Sequence, residues 1–343
     1  MAPSADAPFE RRGVSRGLWL LLGGLLAAVL IPALLGGTGL YERLRTFPPG
    51  LLLVMIAMIL VCWSLNALRL RLLLGRQTLG QRRALGIVVA TEFAICATPA
   101  GAGGPITLAA LLMRRGVAPA RATAAFAVEH LGDLLFFCCA LFGVLVYALT
   151  HALSAHVGNL LMVGALLLGA VLTMLVLLAR YHRGLFRFNG RALRRLGVSR
   201  RKRYRWARRM LRFRNELGLT LSLPRRTLLA AFLLTSVHWL LRYSVLYLTL
   251  QGLGHDIAWA WTFLVQMLAL TAGQLSLLPG GAGSAELASM ALLAPLAGKS
   301  TTAAAILIWR FVTYYLYLIV GAPVFLHLAG RPLLDRLIRA RQI

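Results

Sequence analysis

The sequence contains two nearly identical glycine-rich phrases, PAGAGG at 99–104 and PGGAGS at 279–284. Each phrase interrupts an apolar region, 84–113 in the first case and 257–296 in the second. Non-helical backbone at membrane depth is tolerated only where protein buries it or where it lines a watery cavity. The two phrases therefore indicate two helix breaks inside a membrane protein.

The rest of the chain is rich in membrane-length apolar runs. Of its 343 residues, 59% are hydrophobic, and a helix needs about 20 apolar residues to cross a bilayer. The run at 17–39 follows basic residues, as in a signal peptide, but it is too long for that role and lacks a clear cleavage site. We therefore expect it to be a retained span. Six full spans are predicted at 17–39, 50–70, 119–149, 157–180, 226–252 and 301–328.

In the first interrupted region neither piece is long enough to cross alone. At 1.5 Å per residue, the pieces 84–98 and 105–113 would be about 22 and 14 Å long. A re-entrant hairpin fits these lengths. The predicted fold class is an all-α polytopic membrane protein with six full transmembrane helices and two re-entrant hairpins. It forms one transmembrane domain, 17–328, between the tails 1–16 and 329–343.

The basic residues predict the orientation. The chain has 37 Lys and Arg against 10 Asp and Glu, and cytoplasmic loops carry an excess of Lys and Arg. We therefore place both termini on the cytoplasmic side of the inner membrane. A single crossing in place of either hairpin would put basic segments outside. The segments that carry most of the positive charge are 1–16, 69–83, 114–121, 180–226 and 331–343.

Two segments, 50–149 and 226–328, each read as span, interrupted hairpin, span. In the predicted topology the first hairpin opens to the cytoplasm and the second to the outside. This is an inverted repeat, an architecture in which discontinuous helices of transporters meet near the midplane and form the substrate site.

The loop 180–226 carries 17 basic residues and one acid, Glu216, with aromatic residues between them. One interpretation is an amphipathic strip on the anionic inner leaflet. The alternative is charge that only sets topology. Nucleic-acid binding is disfavoured, because the segment is tethered at the membrane and shows no recognition fold.

Charged residues within predicted spans are functional candidates by default, because charge is costly in lipid. Glu129 and Asp133 are four residues apart, so they share one helix face, with His130 beside them. At an offset of 180, Arg310 falls opposite His130. We expect the two carboxylates to face Arg310, either as a gate or headgroup clamp or as a permanent buried ion pair. Glu92 and Glu286 are further candidates beside the two breaks.

The helix starts after the breaks are candidate anion sites. Gly104 and Pro105 suit the N-cap and first helical positions, and Ser284 suits an N-cap. Exposed N–H groups at such an end attract phosphate. Glu286 is expected either to compensate this helix dipole or to bind an amine or a proton.

Weaker candidates lie in the spans that precede the hairpins. They are Asn66, His238 and Arg242, whereas Arg69 is interpreted as a marker of the membrane interface.

Several functional classes lack their motifs. GKST at 298–301 lacks the earlier glycine of a phosphate-binding loop. Glu129, His130 and Asp133 lack companion metal ligands, and the four cysteines read as small core residues. No cofactor, metal, nucleotide site or recognisable catalytic motif is expected, so we do not predict an enzyme.

The phrases TEFAICATPAGAGGP, VEHLGDLLFF, LLPGGAGSAELA and WRFVTYYLYLIVG resemble the lysylphosphatidylglycerol synthase transmembrane region family. The resemblance implies flipping of aminoacylated phosphatidylglycerol, or transport of other lipids such as hopanoids or polyprenyl carriers. The sequence ends at Ile343, so we do not expect the soluble aminoacyl-transferase domain of the two-domain synthases. The positions that the resemblance marks are Glu92, Pro99, Gly101, Gly103, Glu129, Asp133, Pro279, Gly281, Gly283, Glu286 and Arg310.

The sequence thus predicts a flippase or transporter for a phosphate-bearing or related membrane lipid, driven by an ion gradient, the membrane potential or the lipid gradient. In this hypothesis a headgroup lies between the two breaks, held by N–H groups and Arg310. The alternatives are a membrane-embedded lipid-modifying transferase and a scaffold for a soluble lipid-synthesis enzyme. Homo-oligomerisation stays open.

Overall fold

A computed structural model describes residues 9–75, 77–150, 199–274, 276 and 278–340, with the isolated positions 162, 166, 169 and 173. Within these residues the chain forms helices and no β-strand. Helices satisfy their backbone hydrogen bonds internally, as a lipid environment requires. The prediction of an all-α polytopic membrane protein is confirmed.

The helices follow one another closely along the chain. Those before the masked stretch are α1 (Phe9–Gly36), α2 (Leu40–Arg45), α3 (Pro49–Leu74), α4 (Gln81–Ala97), α5 (Gly103–Met113) and α6 (Pro119–Thr150). Those after it are α7 (Arg200–Leu221), α8 (Arg225–Gly252), α9 (Trp259–Gln274), α10 (Ser284–Ala297), α11 (Lys299–Arg310) and α12 (Leu316–Ala340). A π-helical turn, Phe311–Tyr315, joins α11 to α12.

Among the described residues, four helical segments are long and apolar enough to cross a membrane: Pro49–Leu74, Pro119–Tyr147, Arg225–Gly252 and Lys299–Gly330. They coincide with four of the six predicted spans. The apolar part of α1, Leu21–Gly36, belongs with the shorter apolar helices. The span predicted at 157–180 lies almost entirely outside the described residues, so the count of six stays a prediction.

The helix order repeats in the two segments expected to be equivalent. Helices α3, α4 and α5 have 26, 17 and 11 residues, and α8, α9 and α10 have 28, 16 and 14. A long helical segment follows each trio: Pro119–Thr150 after the first, and Lys299–Gly330, which includes the π-helical turn, after the second. The sequence phrases thus mark real helix breaks, between α4 and α5 and between α9 and α10.

The chain divides into two compact units. The first consists of Met1–Ser64, Leu85–Leu111 and Trp239–Ile343 and contains both breaks. Its core is rich in large side chains: Trp309, Tyr314 and Tyr317 are at most 1% exposed.

The second unit consists of Leu65–Ala84 and Leu112–His238. In it α7 packs along α6. Trp206, Met210 and Phe213 form a half-buried stripe on α7, and most of its arginines are exposed. This spacing of three and four residues puts the apolar side chains on one helix face. The described part of the basic loop, from residue 199, is therefore an amphipathic helix, and residues 180–198 lie outside the description.

Candidate functional site

The two helix breaks begin with the same backbone turn. In the first, the Gly101 and Ala102 amides donate to the carbonyls of Thr98 and Pro99, at 3.2 and 3.1 Å. The second repeats these bonds 180 residues later, where the Gly281 and Ala282 amides donate to Leu278 and Pro279 at 3.2 and 3.3 Å. The repeated phrase in the sequence therefore encodes a repeated turn.

The two turns also pair with each other. Pro99 and Pro279, which are equivalent positions of the two phrases, form an isolated antiparallel β-bridge. An antiparallel bridge between equivalent residues is the arrangement that a two-fold axis between them would produce. The breaks that lie 180 residues apart in sequence are in contact inside the first unit.

A glycine at position 280 is required by the backbone and by its neighbour. Gly280 has φ of 63°, in the left-handed region that side chains rarely adopt. An added Cβ would collide with the ring of Tyr314. The equivalent position of the first break is Ala100, which adopts φ of 49° despite its Cβ.

A buried ion pair lies beside the second break. Arg310 Nε lies 2.6 Å from Glu286 Oε1, and the two side chains are 3% and 0% exposed. The other carboxylate oxygen, Glu286 Oε2, accepts a hydrogen bond from the Gly283 amide at 2.7 Å. Arg310 Nη1 donates to the Gly280 carbonyl at 3.3 Å. Glu286 and Arg310 together hold both ends of the loop.

Aromatic rings enclose this arginine. Its guanidinium carbon lies 5.1 Å from the centroid of Trp309 and 5.4 Å from that of Tyr314, within the range of cation–π attraction. Arg310 Nη2 has no hydrogen-bond partner among the described atoms. The Tyr314 hydroxyl donates to the Pro279 carbonyl at 3.2 Å. The π-helical turn that begins directly after Arg310 is a feature often found at functional sites.

Both helices begin earlier than expected. Helix α10 has Gly283 as its N-cap, where the sequence suggested Ser284, and α5 begins at Gly103, so the expected cap Gly104 lies inside the helix. At the first break the Gly103 amide donates to Thr98 Oγ1 at 2.8 Å. Of the two roles considered for Glu286, its bond to the Gly283 amide is the one that compensates the helix dipole.

A second ion pair in the first unit is looser. Arg242 Nη1 on α8 lies 3.8 Å from Glu92 Oε2 on α4, and the two side chains are 17% and 15% exposed. The same nitrogen donates to the Tyr317 hydroxyl at 2.9 Å. The guanidinium carbon lies 4.8 Å from the Tyr317 ring and 5.7 Å from the Trp239 ring. The aromatic residues therefore position Arg242 more than the Glu92 carboxylate does.

The second unit contains a cluster of one arginine and two carboxylates, which we call the Arg69 cluster. Arg69 Nη1 donates to Asp133 Oδ1 at 2.7 Å and to Thr235 Oγ1 at 2.8 Å. Arg69 Nε lies 3.4 Å from Glu129 Oε1. The Arg69, Glu129 and Asp133 side chains are 8%, 10% and 16% exposed. The cluster joins α3, α6 and α8.

These contacts correct one sequence prediction. Glu129 and Asp133 were expected to face Arg310, but they pair with Arg69, and Arg310 pairs with Glu286. Arg69, which was interpreted as a marker of the membrane interface, is 7% exposed and is the partner of both carboxylates. The spacing of Asn66 and Arg69 by three residues, which puts both on one face of α3, was the available signal.

The remaining candidates lie as follows. His130 is exposed, and its Nδ1 lies 3.0 Å from the Phe126 carbonyl, so it is not a member of the Arg69 cluster. His238 on α8 is buried, as is Asn66. Cys62 and Cys96 are buried as expected, but Cys139 is exposed. Within the described residues no three His, Cys, Asp or Glu side chains form a group that could hold a metal ion.

Comparison with known proteins places this arrangement in a family. Residues 20–321 match the model of the lysylphosphatidylglycerol synthase TM region. The chain belongs to this family. The match includes both breaks and all three charged groups.

A relative of this chain is found in the archaeon Archaeoglobus fulgidus. It is named a UPF0104 membrane protein and is 26% identical over 283 residues, which cover 79% of this chain and 85% of the relative. The similarity thus extends along most of both proteins. It supports the assignment of this chain to the family as a membrane protein. The resemblance predicted from the sequence is confirmed.

Proposed function

We propose that this protein moves a phosphate-bearing lipid between the two leaflets of the inner membrane. The observation that carries the proposal is the bridge between Pro99 and Pro279, which brings two helix breaks together. Discontinuous helices that meet in this way form the substrate sites of many transporters. Membership of a family linked to lipid synthesis and flipping supports a lipid as the substrate.

The proposal includes the predicted inverted repeat. Helices α4 and α5 would be about 26 and 17 Å long at 1.5 Å per residue, so a re-entrant hairpin accommodates them better than a crossing. The matched lengths of α9 and α10 support the same arrangement in the second segment. The termini would then lie in the cytoplasm, and α7 would face the anionic inner leaflet.

Arg242 is the proposed headgroup contact. Arg310 is an unsuitable choice, because a phosphate could reach it only by opening an ion pair whose members are 3% and 0% exposed. Arg242 is more exposed, and its carboxylate lies at 3.8 Å, beyond hydrogen-bonding distance. An approaching phosphate could therefore accept hydrogen bonds from Arg242 while Trp239 and Tyr317 hold the guanidinium in place.

The test is leaflet exchange of headgroup-labelled phosphatidylglycerol in proteoliposomes. Loss of the charged hydrogen bonds in Arg242→Gln should slow exchange by about tenfold or more. Arg208→Gln, which changes an exposed arginine on α7, is the matched control and should leave the rate unchanged. Binding of a short-chain phosphatidylglycerol to detergent-solubilised protein, followed by thermal shift, should weaken in parallel.

The outcomes separate two claims. Wild-type exchange equal to that of protein-free liposomes, for phosphatidylglycerol and for a polyprenyl phosphate, would overturn the transport function. Wild-type exchange that Arg242→Gln does not slow would retain transport and overturn the assignment of Arg242.

A further inference from the structure

An apolar groove lies on the surface of the first unit, between α1 and the segment that contains the π-helical turn. Its volume is about 470 Å³. Six side chains line it: Leu25 and Val29 from α1, Phe311 and Tyr315 from the π-helical turn, and Leu318 and Ile319 from α12. Val29, Phe311 and Ile319 are 43%, 38% and 62% exposed, so the groove is open to the surroundings of the protein. We call it the α1 groove.

Contacts beside the α1 groove fix its walls. Leu25 and Val29 are four residues apart, which places both on one face of α1. Farther along the helix α1 packs against α11, and a Cβ at Gly36 would lie 2.6 Å from the Cβ of Ala303. The Tyr315 hydroxyl donates to the Leu25 carbonyl at 3.5 Å. Because this hydroxyl is engaged by the backbone, the groove presents hydrocarbon and aromatic carbon to its occupant.

The position of the α1 groove along its segment indicates its depth in the membrane. Lys299–Gly330, a segment of 32 residues, is long and apolar enough to cross a membrane. The groove residues at 311–319 lie in its middle, because 12 residues precede them and about as many follow. At 1.5 Å per residue each flank is about 18 Å long, which exceeds half of a hydrocarbon core about 30 Å thick. A groove near the midplane meets only the acyl chains of phospholipids.

We propose that the α1 groove binds one acyl chain of a membrane phospholipid. Lipid is as apolar as the groove, so the hydrophobic effect does not drive this binding. The attraction is dispersion: each pair of non-bonded carbons contributes little, but a chain lying in the groove contacts six side chains at once. The site is separate from the headgroup contact proposed at Arg242, and it does not depend on transport.

The size of the α1 groove favours a single chain over a second copy of the protein. One turn of helix, 5.4 Å long and about 10 Å across, occupies about 420 Å³, so the groove has room for little more than one turn. Stable interfaces use about 20–30 residues on each side, whereas the six side chains named above line the groove. A hydrocarbon chain is narrower, because its carbons lie about 3.5–4.0 Å from the carbons that they contact.

The composition of the α1 groove and the abundance of acyl chains select this occupant among lipid groups. The six lining side chains include no charged residue, so they offer a headgroup no counter-ion. Occupancy of a site rises with the concentration of the ligand relative to its Kd. Acyl chains are the solvent at this depth, whereas a polyprenyl chain is a minor component and would need a much tighter fit.

Photolabelling in proteoliposomes tests the site. The probe is phosphatidylglycerol with a diazirine near the end of one acyl chain, diluted into unlabelled phosphatidylglycerol around the full-length protein. After illumination, peptide mass spectrometry locates the modified residues. Insertion should concentrate on the six residues of the α1 groove and exceed that at Leu30. This residue is 43% exposed, as Val29 is, but lies about 100° from it around α1.

Filling the α1 groove should displace the chain. Val29→Trp places an indole in it and should lower insertion at Phe311 and Tyr315 about tenfold, as loss of about 1.4 kcal/mol of binding would. Ile319→Trp fills it from the opposite wall and should have the same effect. Leu30→Trp is the matched control and should leave insertion unchanged. All three positions are exposed, so the unfolding temperatures of the variants should stay near that of the wild type.

Other occupants would give different results. Insertion spread evenly over the exposed apolar residues of α1 and α12 would show an unselective lipid layer and overturn the proposal, as would insertion that survives both Val29→Trp and Ile319→Trp. A polyprenyl phosphate that removes the label at low molar fraction would reassign the groove to a polyprenyl chain. Protection of the groove in proteoliposomes but not in dilute detergent would reassign it to a second copy. None of these results depends on leaflet exchange, because labelling requires no transport.

Discussion

The two helix breaks share one turn but are stabilised by different means. The second is held by a buried carboxylate and arginine, with Glu286 fully buried. At the equivalent position of the first break stands Ile106, which is 71% exposed. The first break is held by a neutral contact, from the Gly103 amide to the Thr98 hydroxyl. Equivalent loops in a repeat thus need not have equivalent strength, and the second is the more tightly fixed.

The largest effect on stability should come from removing the arginine of the buried ion pair at the second break. Arg310→Ala leaves Glu286 buried without its partner, and loss of one member of a buried pair costs about 3–5 kcal/mol. Thermal unfolding in detergent, followed by intrinsic fluorescence, should show this loss. Ile106→Ala in the first break is the matched control and should have little effect.

The double variant Glu286→Gln with Arg310→Met sharpens this test. Because it removes both charges, it should recover part of the stability lost in Arg310→Ala. Unfolding of Arg310→Ala at the wild-type temperature would show that the pair does not hold the loop.

The next effect should come from changing the equivalent residues Gly280 and Ala100, which both have positive φ. Gly280→Ala forces a Cβ against the Tyr314 ring and should cost about 1–3 kcal/mol. Ala100→Gly relieves the same backbone strain in the first break, and after the entropy cost of glycine it should gain at most about 1 kcal/mol. The unfolding temperature of the two variants should therefore shift in opposite directions.

A fall in the unfolding temperature for both variants would contradict the equivalence of the two turns. The phosphatidylglycerol exchange rate of Ala100→Gly supplies a second readout, because a variant that folds normally should retain it.

The smallest effect should come from the neutral contact of the first break. Thr98→Val removes the hydroxyl that accepts from the Gly103 amide, and loss of such a cap costs about 1 kcal/mol. Thr123→Val is the control, since that exposed hydroxyl bonds only to carbonyls of its own helix. Equal unfolding temperatures for Thr98→Val and Thr123→Val would argue that this hydroxyl does not support the first break.

The positions of the breaks could be predicted from the sequence, because the glycine phrases repeat at a fixed offset. The sequence also singled out Glu92, Glu129, Asp133, Glu286 and Arg310 as candidates, since charge within an apolar run is costly, and the structure places each of them in an ion pair.

The ion-pair partners of these charged residues could not be predicted from the sequence. Which charges meet depends on which helices are neighbours and on the direction of each side chain, and neither follows from spacing along one helix. Arg69 shows this limit, because a basic residue near the end of a span is typical of the membrane interface. In the structure it lies within the protein and bonds to α6 and α8.

The most direct test of the central claim is leaflet exchange by the purified wild-type protein. Labelled phosphatidylglycerol or a labelled polyprenyl phosphate is placed in both leaflets of proteoliposomes, and a membrane-impermeant reductant is added outside. If the protein moves such lipids, the label of the inner leaflet should become accessible with time for at least one of the two. Bleaching that stops at the outer-leaflet fraction for both lipids, as in protein-free liposomes, would contradict the account.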